Sequence, residues 1–368
     1  MKNIYYYLKK HGNQSFKEFP FNEVDSLILC QISYLNIEQL CDNPAKQHYF
    51  SDIFKVENAI ALSTAVMSSR KNMIMSKMLS NCPRYQNIYF MDFWSDFSDA
   101  TYKQFFAVTF FIEDFMFVAY RGTDLSITGW HEDFNMVYLN EVPSQKNAVT
   151  YLNEIHEMYG RKMYVGGHSK GGNLALYAAM YCDESAHKDI IRVYDFDGPG
   201  FYKHEIYDSK EYLNIRDRLT SISSSMSIIA ILMYHSDDIE FIKSSSVGIL
   251  QHEAFNWHIK DDTHLERTKD NNYRSKVIDK MTKAIIENST VDERKRLVDI
   301  IFYIAKDNPK SSLLDIKHHP FKYAAGMIRR RKLLPHDERV FYKEISKRIR
   351  KIMANVLKES IKDFEIKL

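Results

Sequence analysis

KMYVGGHSKGGNLALYAAM, residues 162–180, is the stretch that decides the fold. Lys162 to Gly167 reads as a strand and Leu174 to Tyr181 as a helix. Between them stands Gly167-His168-Ser169-Lys170-Gly171, a G-x-S-x-G pattern. A serine on a tight strand-to-helix turn holds its hydroxyl clear of the sheet, and the residues two away on either side must be small because their Cα atoms crowd the bend. The N–H of the following residue, here Lys170, then points from the helix N-terminus toward developing negative charge. A match of this kind arises by accident in roughly 3 chains in 100 of this composition. A phosphate loop is excluded because its lysine must follow the second glycine group, and Lys170 precedes Gly171 and Gly172. A Gly-rich turn without chemistry is the plainer alternative.

Outward from this turn, the pattern is of strands and helices in alternation. Residues 87–94, 106–113 and 115–121 read as strands, the last two joined through Asp114 as a hairpin. Helical patterns cover roughly 22–35, 57–68, 72–79 and 145–159, and further strands are expected at 190–196 and 227–234. Strands separated by helices predict an α/β fold with a mostly parallel sheet and an antiparallel edge. Ten of the twelve glycines lie between Gly122 and Gly248, so the sharp turns and close backbone approaches concentrate there.

A nucleophilic serine needs a base, and the base an orienting acid. The strand at 227–234 would deliver Asp237 and Asp238 at its C-terminal end, where catalytic groups collect in open α/β sheets. Fourteen residues beyond Asp238 comes His252, giving the chain order Ser…Asp…His. Asp238 is the first candidate for the acid, with Asp237, Asp195 and Asp197 as alternatives. His252 is the first candidate for the base, ahead of His258 and His235.

The 368 residues, 45% hydrophobic and 27% charged, exclude a disordered chain and leave material beyond one core. Four scattered cysteines without C-x-x-C spacing argue against a disulfide framework. No run approaches the roughly 20 apolar residues of a membrane span, and Lys9 and Lys10 interrupt any secretory apolar core, so a cytoplasmic protein is expected. The pattern H-E-x-x-H is absent, and no metal or other cofactor is expected. The net charge of +2 conceals an asymmetry: residues 261–368 carry 26 Lys/Arg against 17 Asp/Glu, leaving −7 for residues 1–260. With one glycine and helical periodicity, 261–368 reads as a basic helical module attached to a domain spanning 1–260.

Three blocks resemble the class 3 (fungal-type) lipase branch of the α/β-hydrolases, and more closely a family of lipase-like proteins of Gram-positive bacteria. They are VAYRGTDLSITGWHEDFNM (118–136), GGHSKGGNLALYAAM (166–180), and HSDDIEFI (235–242) followed by ILQHEAFNW (249–257). DFDGPGF (195–201) is similar to the segment after the elbow helix, and the first residues also resemble the start of the bacterial family. The resemblance covers about residues 1–260. It implies an α/β-hydrolase fold with Ser169 as nucleophile, Asp238 as acid and His252 as base. The oxyanion hole would be formed by the N–H of Lys170 and by Thr123, through its N–H and its hydroxyl. Arg121, Trp130 and Asp133 fall at positions that brace that loop as an ion pair and a buried indole. Two positions depart from the lipases. Lys170 replaces an apolar residue, which would set a cation near the pocket mouth, and the interval from Asp238 to His252 is short.

The expected chemistry is hydrolysis of a small-molecule or lipid acyl ester or thioester. The alternative is a binding or signalling module with a vestigial triad. The basic C-terminal helices offer peripheral membrane contact, with nucleic acid the less favoured partner.

Overall fold

The computed structural model describes residues 2–41, 43–224, 233–236, 238–268, 273–306 and 320–365. Eight strands form one sheet in the order of the chain: β1 (His48–Tyr49), β2 (Tyr89–Ser98), β3 (Lys103–Ile112), β4 (Phe115–Tyr120), β5 (Met163–His168), β6 (Ile190–Phe196), β7 (Leu219–Ser224) and β8 (Glu240–Ile242). The first four pair antiparallel, and β4 to β8 run parallel. The predicted hairpin is β3–β4, turned at Glu113 with φ +48°. The fold is therefore the expected α/β class, a mostly parallel sheet flanked by helices, with a helical C-terminal region. The strands β7 and β8 are additions that the apolar pattern does not predict. Of the strand expected at 227–234, residues 227–232 lie outside the described residues, as does Asp237. Tyr234 makes an isolated bridge to Phe201.

The strand β3 shows the period-two logic that splits the core. Phe106, Val108, Phe110 and Ile112 enter one hydrophobic cluster, while Phe105, Ala107 and Phe111 enter the other. Over the first face lie α1 (Ile4–His11), α2 (Glu23–Ile32) and α3 (Ser69–Leu79). A Cβ on Gly166 would stand 2.8 Å from the Phe117 ring and 3.3 Å from Cys30 Sγ, so this glycine lets α2 lie close against β5. The crossover from β4 to β5 passes through α4 (Ile127–Asn135) and α5 (Pro143–Tyr159), and α6 (Lys170–Tyr181) links β5 to β6. Both α5 and α6 cover the second face.

Just past residue 260 the chain still packs against the first core cluster and α2. A two-residue strand, β9 (Ile259–Lys260), pairs with β10 (His264–Leu265), and Leu265 belongs to the first core cluster. Arg267 then reaches Glu23 of α2 at 2.6 and 2.8 Å. Among the described residues four further helices follow: α7 (Tyr273–Glu287), α8 (Val291–Ala305), α9 (Pro320–Leu333) and α10 (His336–Glu365). Val298 and Phe302 of α8 pack on Ile127, Trp130 and Phe134 of α4, and His131 stacks on Phe302 with ring centroids 4.4 Å apart. The helical region thus braces the helix that follows the β4 loop. No helix among the described residues is long and apolar enough to cross a membrane.

Candidate active site

The turn after β5 is a strained elbow. Ser169 has φ +59° and ψ −136°, and Lys170 opens α6 directly behind it. A backbone that costs a non-glycine residue about 1–3 kcal/mol persists only where its surroundings enforce it. Here a Cβ on Gly167 would fall 2.1 Å from the Gly171 carbonyl carbon, and one on Gly171 would fall 2.1 Å from the Tyr120 carbonyl oxygen. Both small residues of the pattern are required by contact distance. The Ser169 N–H donates to the Phe196 carbonyl (2.9 Å), which ties the elbow to the end of β6.

Immediately after Phe196 stands Asp197, fully buried and in the left-handed region at φ +57°, which Asp tolerates better than most residues. Its Oδ2 accepts from His252 Nδ1 (2.7 Å) and Ser224 Oγ (3.2 Å). Its Oδ1 accepts from Ser223 Oγ (2.7 Å) and the Ser224 N–H (3.1 Å). Burial works against the carboxylate, but the His252 ring and these donors prevail and hold its pKa below the ordinary value. Asp197 rather than Asp238 is the acid that meets His252. Asp238 lies at the surface in a bidentate pair with Arg216 (2.6 and 2.9 Å), its side chain about half exposed. Between the two lie β8 and a 3-10 turn that ends at His252 itself. Asp195 is occupied by Ser221 Oγ and the Gly198 N–H, and burial raises its pKa to about 7. Of the other histidines, His258 sits by Glu266 (3.5 Å), and His235 is half-buried beside Gly200.

His252 is gripped through its own backbone as well. The Nε2–H of His168, the residue before the elbow serine, donates to the His252 carbonyl (2.8 Å), and the two rings lie 4.6 Å apart. Trp257 Nε1 donates to the Gln251 carbonyl (2.7 Å), and Tyr34 Oη donates to the His168 carbonyl (2.9 Å). Burial and the neighbouring His252 push the His168 pKa down to about 3, so its ring is neutral and keeps one proton for that bond. The sequence reading misses this role of His168, although the residue stands inside the G-x-S-x-G pattern itself.

The other side of the elbow is a buried polar network. Lys170 is wholly buried, and its Nζ donates to the Gln104 carbonyl (2.6 Å), Gln104 Oε1 (3.0 Å) and Glu132 Oε2 (2.9 Å). Glu132 also accepts from Ser144 Oγ (2.7 Å) and the N–H groups of Ser144 (3.0 Å) and Gln104 (3.1 Å). Burial opposes the ammonium, yet the Glu132 and Asp133 carboxylates outweigh it and raise the Lys170 pKa. The cation expected near the pocket mouth therefore points into the protein, because its partner lies on α4. Asp133 accepts from Thr123 Oγ1, and burial lifts its pKa to about 7. The Thr123 hydroxyl is thereby committed to Asp133. Arg121 braces the same loop from outside, forked onto Glu38 (3.0 Å to each oxygen) and stacked 3.6 Å over Phe106. Trp130 packs against α8 rather than forming part of the site. Among the described residues no group of three His, Cys, Asp or Glu side chains is arranged to hold a metal ion.

Sheet and elbow together define an α/β fold of the hydrolase type. Residues 79–303, more than half of the chain, match the Mbeg1-like family, and the chain belongs to it. Among solved structures, the chain is similar to the Rhizomucor miehei lipase propeptide complex at 17% identity, over 46% of this chain and 69% of that one, with a TM-score of 0.35. It is similar to the M37 lipase at 18% identity, over 56% of this chain and 68% of that one, with a TM-score of 0.36. No curated protein matches it.

Proposed function

We propose that the chain is a serine hydrolase that cleaves a carboxylic ester or thioester through an acyl-enzyme. The observation that carries this reading is the 2.7 Å bond between His252 and buried Asp197 beside the strained elbow of Ser169. With its Nδ1–H given to Asp197, the imidazole would present Nε2 as the base. His252 takes the Ser169 proton as the oxygen attacks the carbonyl carbon, and Asp197 stabilises the imidazolium. The N–H groups of Lys170 and Thr123 hold the tetrahedral oxyanion. His252 then protonates the leaving group, and water resolves the acyl-enzyme by the same path in reverse. Loss of one oxyanion donor of this kind costs about 3 kcal/mol, roughly a hundredfold. The thiols of Cys30 and Cys82, buried and outside any disulfide among the described residues, suit a reducing cytoplasm.

The test is covalent labelling by a fluorophosphonate probe together with hydrolysis of short p-nitrophenyl esters. Wild type should label and turn over, and Ser169→Ala should do neither. Absence of labelling in folded wild type would favour a non-catalytic binding module instead.

A further inference from the structure

The helix α9 lies beyond the family match and carries a surface that the hydrolase reading does not use. Its residues 320–333 include Lys322, Arg329, Arg330, Arg331 and Lys332 and no acidic residue. At 3.6 residues per turn, Phe321, Ala325, Ile328 and Lys332 fall within about 60° of arc on one face. The opposite face carries Tyr323, which is buried, and Arg330, whose Nε donates to the Ile304 carbonyl of α8 (2.7 Å), and the buried Leu334 follows just past the helix end. That packing fixes which way the helix is rolled, and it turns the first face outward. Phe321 is 90% exposed and Ile328 61%. Lys322 and Arg329 flank this apolar line on one side and Arg331 on the other, while Lys332 continues it toward the helix end.

We propose that α9 docks on an anionic lipid surface, lying parallel to it with Phe321 and Ile328 sunk among the headgroups. The charge complementarity is one-sided: four cations (Lys322, Arg329, Arg331 and Lys332), no carboxylate, and a large apolar pair at the centre of the exposed arc. Such a face gains from burying apolar area at the acyl boundary and from pairing its lysines and arginines with lipid phosphates. A nucleic-acid groove would satisfy the cations but leave Phe321 and Ile328 against phosphate, so lipid is the occupant that uses both features. The contact chain α9–α8–α4 leads to the polar network beneath the elbow, so docking would bring the proposed hydrolase to a source of acyl esters.

The experiment is flotation of the full chain with vesicles of phosphatidylcholine alone or of phosphatidylcholine with phosphatidylserine. Binding should require phosphatidylserine and weaken as salt rises. Phe321→Ser with Ile328→Ser, and separately Lys322→Glu with Arg329→Glu and Lys332→Glu, should each reduce it at least about tenfold. All of these side chains are exposed, so the variants should keep the wild-type melting temperature and the wild-type rate on a soluble short ester. That rate separates failure of docking from failure of the proposed hydrolase, because an inactive chain that still floats would sustain the docking alone. The proposal is overturned if wild type ignores anionic vesicles or if the variants float as well as wild type. It is equally overturned if duplex DNA or RNA binds more tightly than the vesicles, or if the double serine substitution abolishes self-association instead of flotation.

Discussion

Asp197→Asn separates the two candidate acids, and its effect follows from the donors around that carboxylate. The Ser224 N–H, an obligate donor, faces Oδ1, so the carbonyl oxygen of the introduced asparagine must occupy that position. Its amide nitrogen then falls where Oδ2 now accepts from His252 Nδ1. A donor facing Nδ1 forces that nitrogen to accept, which moves the imidazole proton to Nε2, the atom that should take the proton of Ser169. The base is then present in the wrong tautomer and without a counter-charge for the imidazolium. Where this exchange has been made in an established triad the loss is about 10⁴-fold, or ~5 kcal/mol of transition-state stabilisation. The same loss is expected here in kcat on a short p-nitrophenyl ester, with fluorophosphonate labelling slowed in parallel. Asp238→Asn is the matched control. It removes one half of a solvent-screened surface pair with Arg216, and should leave stability nearly unchanged and the rate within about twofold. Melting curves establish that both variants fold. If Asp238→Asn fell by orders of magnitude while folded Asp197→Asn stayed within about tenfold of wild type, the reasoning from Ser224 and His252 would be refuted.

Two further expectations come from the groups on either side of the elbow. Lys170→Met strands the fully buried Glu132 carboxylate and should cost about 3–5 kcal/mol in urea unfolding, part of it recovered by adding Glu132→Gln; a loss below about 1 kcal/mol would show that the pair is not desolvated. His168→Gln keeps an N–H for the His252 carbonyl but cannot titrate. The unfolded His168 takes a proton near pH 6.5 and the folded one only near 3. Wild type therefore binds fewer protons than its unfolded chain in that window and loses stability as pH falls. Asp133 and Asp195, both raised to about 7, slope the other way, so the comparison must be between variants. Wild type minus His168→Gln should change by up to about 1.4 kcal/mol per pH unit between those limits, while activity at neutral pH persists; a flat difference would place the ring in water.

The residues that mislead a reading of the acid and of the sheet are the same ones. Gly167 and Gly171 are legible because a contact of 2.1 Å permits no side chain, and such a requirement is written locally. His252 comes forward as the expected base by chain order once the elbow is in hand. In contrast, β7 is LTSISS, a strand whose buried positions include Ser221, Ser223 and Ser224. Apolar periodicity passes over such a segment, so the next apolar run, 227–234, stands in for it and brings Asp238 forward as the acid. Those serines face inward because Asp195 and Asp197 lie opposite them, as the bonds from Ser221, Ser223 and Ser224 make plain. A buried carboxylate needs donors, and the neighbouring strand supplies them in place of hydrophobic side chains. The polar strand and the buried acid imply each other, but only across a pairing of β6 with β7 that no local pattern announces. Lys170 follows the same rule on the other side of the elbow. It reads as a surface cation because its carboxylate, Glu132, stands 38 residues earlier and becomes its neighbour only when α4 folds over the start of β3.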